Sequence, residues 1–250
     1  MLQRELDGST AIVKLARGKG NAMNLELLEA IIAEFNELAD HEVRAVVLTS
    51  GGPIFSAGVD LPRIASGGRA YLEAFLPALS RFVEVMLRFP KPVVAAVGGH
   101  AIAGGCIAAL ASDYRIMAQG KPTIGLTEML VGVPFPTLIF ELVRQRVAPN
   151  FLREIVFTGA TYTAEEARYR GLVDEAVDAD RLMARSLEIA QQFGKILPEA
   201  FRITKDQLCR PIFDRCQQPA DEIEPKILDA WSSPEASQAI RGFIEARIKR

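Results

Sequence analysis

Val93-Val94-Ala95-Ala96-Val97-Gly98-Gly99-His100-Ala101-Ile102-Ala103-Gly104-Gly105-Cys106-Ile107-Ala108-Ala109-Leu110 is the stretch on which the fold turns. It opens as an apolar run of β-formers, passes through paired glycines and continues as an alanine-rich helical pattern. Glycine lets backbone approach a ligand with no side chain in the way. A helix that starts at such glycines points unpaired N–H groups at whatever sits there. Two readings follow. In one, Gly104 donates its N–H to negative charge developing on a substrate oxygen. In the other, the glycines only allow tight strand–helix packing.

Outward from this stretch, composition narrows the choice. The chain has 250 residues, enough for one large domain or two small ones. With 49% hydrophobic and 24% charged residues it has the make-up of an ordinary soluble globular protein. A net charge of −2 and the lack of a long basic run set nucleic acid aside as a partner. The mildly basic segment from Arg241 to Arg250 suits a solvated helix face, or a phosphate contact. The three cysteines, Cys106, Cys209 and Cys216, form no C-x-x-C pair and no Cys/His cluster, and the two histidines, His41 and His100, are too few for most metal sites. Neither a zinc site nor a disulfide framework is expected. Met1 to Glu5 lacks the apolar core of a signal peptide. Pro92 to Ser112 carries no Asp, Glu, Lys or Arg and is about as long as a membrane span. It is mostly Ala, Gly and Val around a histidine, so a buried strand–turn–helix is expected, with no membrane contact and a cytoplasmic location.

Leu2–Leu6 and Thr10–Leu15 flank Asp7-Gly8-Ser9, a hairpin signal. Asn24 caps a helix carrying Leu25, Leu28, Ile31, Ile32, Phe35 and Leu38 at helical spacing. Arg44–Thr49 reads as a strand. Ile54-Phe55-Ser56-Ala57-Gly58-Val59-Asp60-Leu61 is a second strand running into a small-residue turn and a short helical segment. Two such turns can aim two backbone N–H groups at one point, an oxyanion hole worth several kcal/mol to a reaction that builds charge on a carbonyl oxygen. Tyr71–Phe89 is an amphipathic helix stopped by Pro90-Lys91-Pro92. Asp113–Met117 and Pro122–Leu126 read as strands. From Ile124 to Pro136 a single carboxylate, Glu128, stands in an otherwise uncharged run. Apolar surroundings raise a carboxylate's basicity, which suits a general base; a helix cap or a paired structural glutamate is the plainer alternative. Thr163-Ala164-Glu165-Glu166 is a capping box. Gly171-Leu172-Val173-Asp174 ends that helix and opens a short strand. Asp180–Phe193, Pro198–Arg210, Ala220–Trp231 and Pro234–Lys249 read as helices. The change to all-helix near residue 180 divides the chain into a core of residues 1–180 and a helical region of residues 181–250.

Phe55-Ser56-Ala57-Gly58-Val59-Asp60-Leu61, Gly99-His100-Ala101-Ile102-Ala103-Gly104-Gly105-Cys106 and Ile124-Gly125-Leu126-Thr127-Glu128 together resemble the enoyl-CoA hydratase/isomerase (crotonase) superfamily. Gly20-Asn21-Ala22-Met23-Asn24, Phe157-Thr158-Gly159, Gly171-Leu172-Val173 and Gly242-Phe243-Ile244-Glu245 extend the resemblance over nearly the whole chain. It implies an α/β fold, a crotonase-like spiral of ββα units with a C-terminal helical region that builds a homotrimer or a dimer of trimers. The implied ligand is an acyl-CoA thioester, so coenzyme A arrives with the substrate and no separate cofactor or metal is called for. By the same resemblance, the N–H groups of Ala57 and Gly104 form the oxyanion hole. Ala22, Ala57, Gly58, Val59, Asp60, Leu61 and Gly104 line the coenzyme A site, and Phe243 or Lys249 reaches the nucleotide end of a ligand in a neighbouring subunit. Leu61, Ile64, Phe82, Ile107, Val133 and Phe135 are acyl-pocket candidates by apolarity.

Hydratases of the family use two glutamates, one at the position of Glu128 and one three residues after the oxyanion glycine. Here that second position is Ile107. The pattern from Ala103 to Leu110, with Ser112-Asp113-Tyr114-Arg115-Ile116, resembles most the Δ3,Δ2-enoyl-CoA isomerases of the mitochondrial type, which keep one catalytic glutamate. The expectation is a proton shift carried by Glu128 alone. A hydratase working with Glu128 alone and a non-catalytic acyl-CoA-binding protein remain as alternatives. A dinucleotide-binding oxidoreductase does not fit, because Gly98, Gly99, Gly104 and Gly105 lack the G-x-G-x-x-G spacing.

Overall fold

The computed structural model describes residues 1–217 and 220–248. The N-terminal hairpin forms as its turn signal predicts: β1 (Leu2–Asp7) pairs antiparallel with β2 (Thr10–Leu15). The Asn24 side chain accepts the Leu27 N–H and starts α1 (Leu25–Asp40), whose buried stripe is Leu27, Leu28, Ile31, Ile32, Phe35 and Leu38. After α1 one unit recurs, a longer strand, a very short strand and then a helical segment. The units are β3 (Ala45–Ser50), β4 (Ile54–Ser56) and α2 (Leu61–Arg88); then β5 (Val93–Val97), β6 (His100–Ile102) and α3 (Gly104–Leu110); then β7 (Tyr114–Ala118), β8 (Ile124–Gly125) and a 3-10 turn at Glu128–Val131. This is the expected ββα spiral, with β8 shorter than the Pro122–Leu126 strand read from the sequence.

Further along lie α4 (Thr137–Arg146), α5 (Leu152–Thr158), β9 (Thr161–Tyr162), α6 (Ala164–Tyr169), β10 (Glu175–Val177), α7 (Leu182–Gly194), α8 (Pro198–Cys216), α9 (Ala220–Trp231) and α10 (Pro234–Ile248). The capping box at Thr163 and Glu166 is formed. The helix α8 runs past its expected end at Arg210 and carries Pro211 inside it. Its final turns stay down because Ile212 is buried and Arg215 pairs with Glu141 of α4.

Each unit feeds two sheets. The long strands build a six-stranded sheet in the order β1-β2-β3-β5-β7-β10, parallel from β2 onward. The short ones build a second sheet in the order β4-β6-β8-β9, in which β4, β6 and β8 run parallel. Strand β5 is buried on both faces, as expected for a central parallel strand. Val93, Ala95 and Val97 face the main core, while Val94 and Ala96 face a second core closed by Leu182, Ile189 and Ala190 of α7. The change in composition at residue 180 is therefore no break in packing, since α7 seals the large sheet. The ion pair of the buried Lys205 with the half-buried Asp113, at 2.8 Å, fastens α8 to the start of β7. Helices α9 and α10 lie against α2, and α10 also touches the 3-10 turn of Glu128. The stretch from Pro92 to Ser112 is split among β5, β6 and α3, and no helix among the described residues is long and apolar enough to cross a membrane.

The pivotal stretch folds as strand, turn and helix. Close approach is built into it at Gly105, where an added Cβ would sit 2.4 Å from the Ser56 carbonyl oxygen. Backbone rather than a flexible side chain stands there, so relief requires the second turn to move off the first. Gly105→Ala is expected to destabilise the protein by about 1–3 kcal/mol, the usual cost of overpacking. Urea unfolding of the two proteins checks it through the shift in midpoint.

Candidate active site

The parallel strands β4, β6 and β8 lie side by side, so the segments leaving their C-terminal ends come together at one edge. Those segments are the three sequence pieces singled out above: Ala57–Val59, Ala103–Gly104 and Thr127–Glu128. Ligands of parallel sheets are held at this end of the strands. A narrow cleft opens there, walled mainly by apolar side chains.

The first turn is fixed by the loop before α1. The Met23 N–H donates to the Gly58 carbonyl at 2.7 Å and the Asp60 N–H to the Met23 carbonyl at 2.8 Å. The Ala57 N–H donates to the Gly20 carbonyl at 2.8 Å. Ala57 is thus removed as an oxyanion donor, because its amide is already used within the fold. Gly58 has φ +86°, a conformation open to glycine at little cost, and it reverses the chain directly before Val59. Among the described residues the Val59 N–H meets no acceptor.

The second turn is strained. Ala103 has φ +48° and ψ −116°, off the ordinary regions for a residue with a Cβ, at a cost of roughly 1–3 kcal/mol. Its own N–H is taken by the Gly125 carbonyl at 2.8 Å. The next amide, that of Gly104, meets no acceptor among the described residues. The two turns are in contact: a Cβ on Gly58 would lie 3.2 Å from the Gly104 nitrogen, and one on Gly104 would lie 3.6 Å from the Val59 nitrogen. Two unengaged amides therefore lie close together, and both residues line the cleft.

Glu128 begins the 3-10 turn and lines the same cleft. The residue is half-buried, but its Oε2 is sealed from solvent and has no hydrogen-bond partner among the described residues. Burial pushes its carboxyl up to about 7, and the backbone amides of Glu128 and Thr127 oppose that only in part. Thr127 rather than Glu128 stands at the cap position of this turn, and Glu128 enters no ion pair among the described residues. Ile107 lines the same cleft.

Of the other expected residues, Leu61, Val133 and Phe135 line the cleft. Ile64 and Phe82 do not; both are packed in the main core. Gly58 shapes the turn from outside the walls. Asp60 is committed elsewhere, capping α2 through the Arg63 N–H and pairing with Arg17 at 3.0 Å. Ala22 also lies outside the walls, its carbonyl accepting from Arg17 at 2.7 Å. Phe243 lines the cleft of its own chain, and Lys249 lies outside the described residues.

Sequence reasoning missed Leu79, Ile139 and Trp231 as lining residues. Trp231 donates its indole N–H to the Pro134 carbonyl at 2.8 Å, tying the end of α9 to the loop after Glu128. The lone tryptophan beside a Pro134-Phe135-Pro136 loop was a faint signal, as no local pattern links positions 97 residues apart. No group of three or more metal-ligating side chains occurs among the described residues.

Comparison with known proteins bears on this geometry. Residues 5–249 match the family model for enoyl-CoA hydratase/isomerase. A probable enoyl-CoA hydratase, EchA17 of Mycobacterium tuberculosis, is 32% identical over 201 residues, covering 80% of this chain and 76% of that protein. The mitochondrial enoyl-CoA delta isomerase 1 of Rattus norvegicus is 28% identical over 217 residues, covering 86% and 75%. The crystal structure of human mitochondrial delta3-delta2-enoyl-CoA isomerase superposes with a TM-score of 0.93 at 25% identity, over 99% of this chain and 98% of that one. Hydratases and isomerases thus both stand among the relatives. The chain belongs to the enoyl-CoA hydratase/isomerase family, within the crotonase superfamily of acyl-CoA enzymes.

Proposed function

We propose that this protein is an enoyl-CoA isomerase that converts a 3-enoyl-CoA to the 2-trans-enoyl-CoA. The observation carrying this reading is that Glu128 is the one titratable side chain among the described residues lining the cleft, and that Ile107, which resemblance to the hydratases aligns with their second glutamate, is an apolar part of the same lining. Hydration needs a water held and deprotonated, and Ile107 does neither. A proton shift needs one group that takes a proton and returns it.

In this mechanism the N–H groups of Val59 and Gly104 hold the thioester oxygen. The Glu128 carboxylate removes a proton from C2, and the electron pair delocalises as a dienolate over the thioester oxygen, C2 and C4. The two amides stabilise the oxyanion, a contribution of about 3–4 kcal/mol per well-placed donor. The protonated Glu128 then delivers the same proton to C4, leaving the double bond between C2 and C3. Electrons neither enter nor leave, so the shift draws on no redox group. The apolar walls of Leu79, Val133, Phe135 and Ile139 receive an aliphatic chain.

A carboxyl held at about 7 is part ionised at neutral pH and able to work in both directions. Since the base must start ionised, kcat/KM for 3-hexenoyl-CoA is expected to rise with pH through about 7 and level off above it. A profile flat from pH 5.5 to 8.5 would contradict the assignment.

Glu128→Gln keeps the shape and removes the proton carrier. Its kcat on 3-hexenoyl-CoA is expected to fall by about 10²–10⁴, the usual share of general acid–base catalysis, and isomerisation at the wild-type rate rejects the mechanism.

Crotonyl-CoA separates the hydratase reading. Its conjugated thioester absorbance is expected to persist with the wild-type protein, whereas loss as fast as 3-hexenoyl-CoA is isomerised would make hydration the activity. Tight binding of acyl-CoA with no turnover of any enoyl-CoA would instead mark a binding protein.

A further inference from the structure

We infer that Ser56 and Asn21 are positioning residues that hold the Val59 amide on the thioester oxygen; the inference rests on the Val59–Gly104 reading above. Neither side chain lines the cleft, and both are buried. The Ser56 hydroxyl donates to the Asn21 carbonyl at 2.8 Å and accepts the Gly58 N–H at 3.2 Å. The Asn21 amide donates to the Ile54 and Phe55 carbonyls, at 3.3 and 3.1 Å, and its Oδ1 accepts the Arg17 N–H at 2.8 Å. Asn21 does this from a left-handed backbone, φ +47°, unusual for a residue with a side chain. Strain of this kind persists only where the surroundings enforce it.

The consequence is an accounting of amides. The N–H groups of Ala57, Gly58, Asp60 and Leu61 all have acceptors, at Gly20, Ser56, Met23 and Val59. Val59 alone in this run keeps its N–H for a ligand. Ser56 fixes the peptide unit adjoining that amide, and Asn21 clamps the strand that leads to it. A rigid donor costs little reorganisation when charge develops, so the two side chains act on the transition state more than on substrate binding.

The test uses Ser56→Ala, which removes the hydroxyl, and Asn21→Gly, which removes the clamp yet keeps a residue at ease with positive φ. Each is titrated with 2,4-hexadienoyl-CoA, a chromophore whose absorption moves to longer wavelength as its carbonyl is polarised, and assayed on 3-hexenoyl-CoA. The wild type is expected to show the shift. The variants are expected to lose at least half of it, with kcat down by about 10- to 100-fold and KM within about threefold. Full shift and wild-type kcat in both variants would overturn the inference while leaving the Val59–Gly104 reading intact. Absence of the shift in the wild type would overturn that reading, and this inference with it.

Discussion

Parallel pairing of three strands, each of two or three residues, is the constraint on which the site depends. β4, β6 and β8 contribute little stability of their own, being too short to carry a core. Their shared direction nevertheless forces three distant segments to leave the sheet at one edge. The large sheet makes this possible. It anchors β3, β5 and β7 in register, and each hands the chain to its short partner through a connection of two to five residues. The spiral converts a repeating local unit into a single point of convergence.

At that point hydrogen-bond bookkeeping shapes the chemistry. Buried amides in folded proteins are nearly always paired. Around the first turn the loop from Gly20 to Met23 consumes the neighbouring amides, and around the second the Gly125 carbonyl takes that of Ala103. What remains is Val59 on one side and Gly104 on the other. The fold tolerates two unpaired donors, a strained Ala103 and a carboxylate sealed among apolar groups. Each of these is unfavourable on its own, and each persists because the surrounding fold enforces it.

The C-terminal helices belong to the site as well as to the scaffold. α7 and α8 back the sheet and the helical layer, whereas α9 and α10 bring Trp231 and Phe243 to the cleft of their own chain. Burial of Glu128 is therefore shared work, with its own turn supplying the group and α10 lying against that turn. The height of its carboxyl pKa follows from tertiary packing, because desolvation outweighs the two local amides.

From sequence alone, periodicity and turn chemistry determined the hairpin at Gly8, the Asn24 cap with its buried stripe, the Thr163–Glu166 box and the glycine-linked strands and helices of the spiral. These depend on residues within a few positions of one another, which is what local patterns encode. Glu128 was legible because an isolated charge in an apolar run is itself a local anomaly, and Gly104 because glycine spacing marks where a helix begins. The tertiary structure alone decided which amides are free. Ala57 and Val59 look alike in the chain, and only the pairing of residues 20–23 with residues 57–60 distinguishes them. The same holds for Trp231 and Leu79 at the cleft, and for Ile64 and Asp60, whose side chains are committed to core and cap. Hydrogen-bond partners and cavity walls are set by segments brought together across tens of residues, and no run of neighbours along the chain records that meeting.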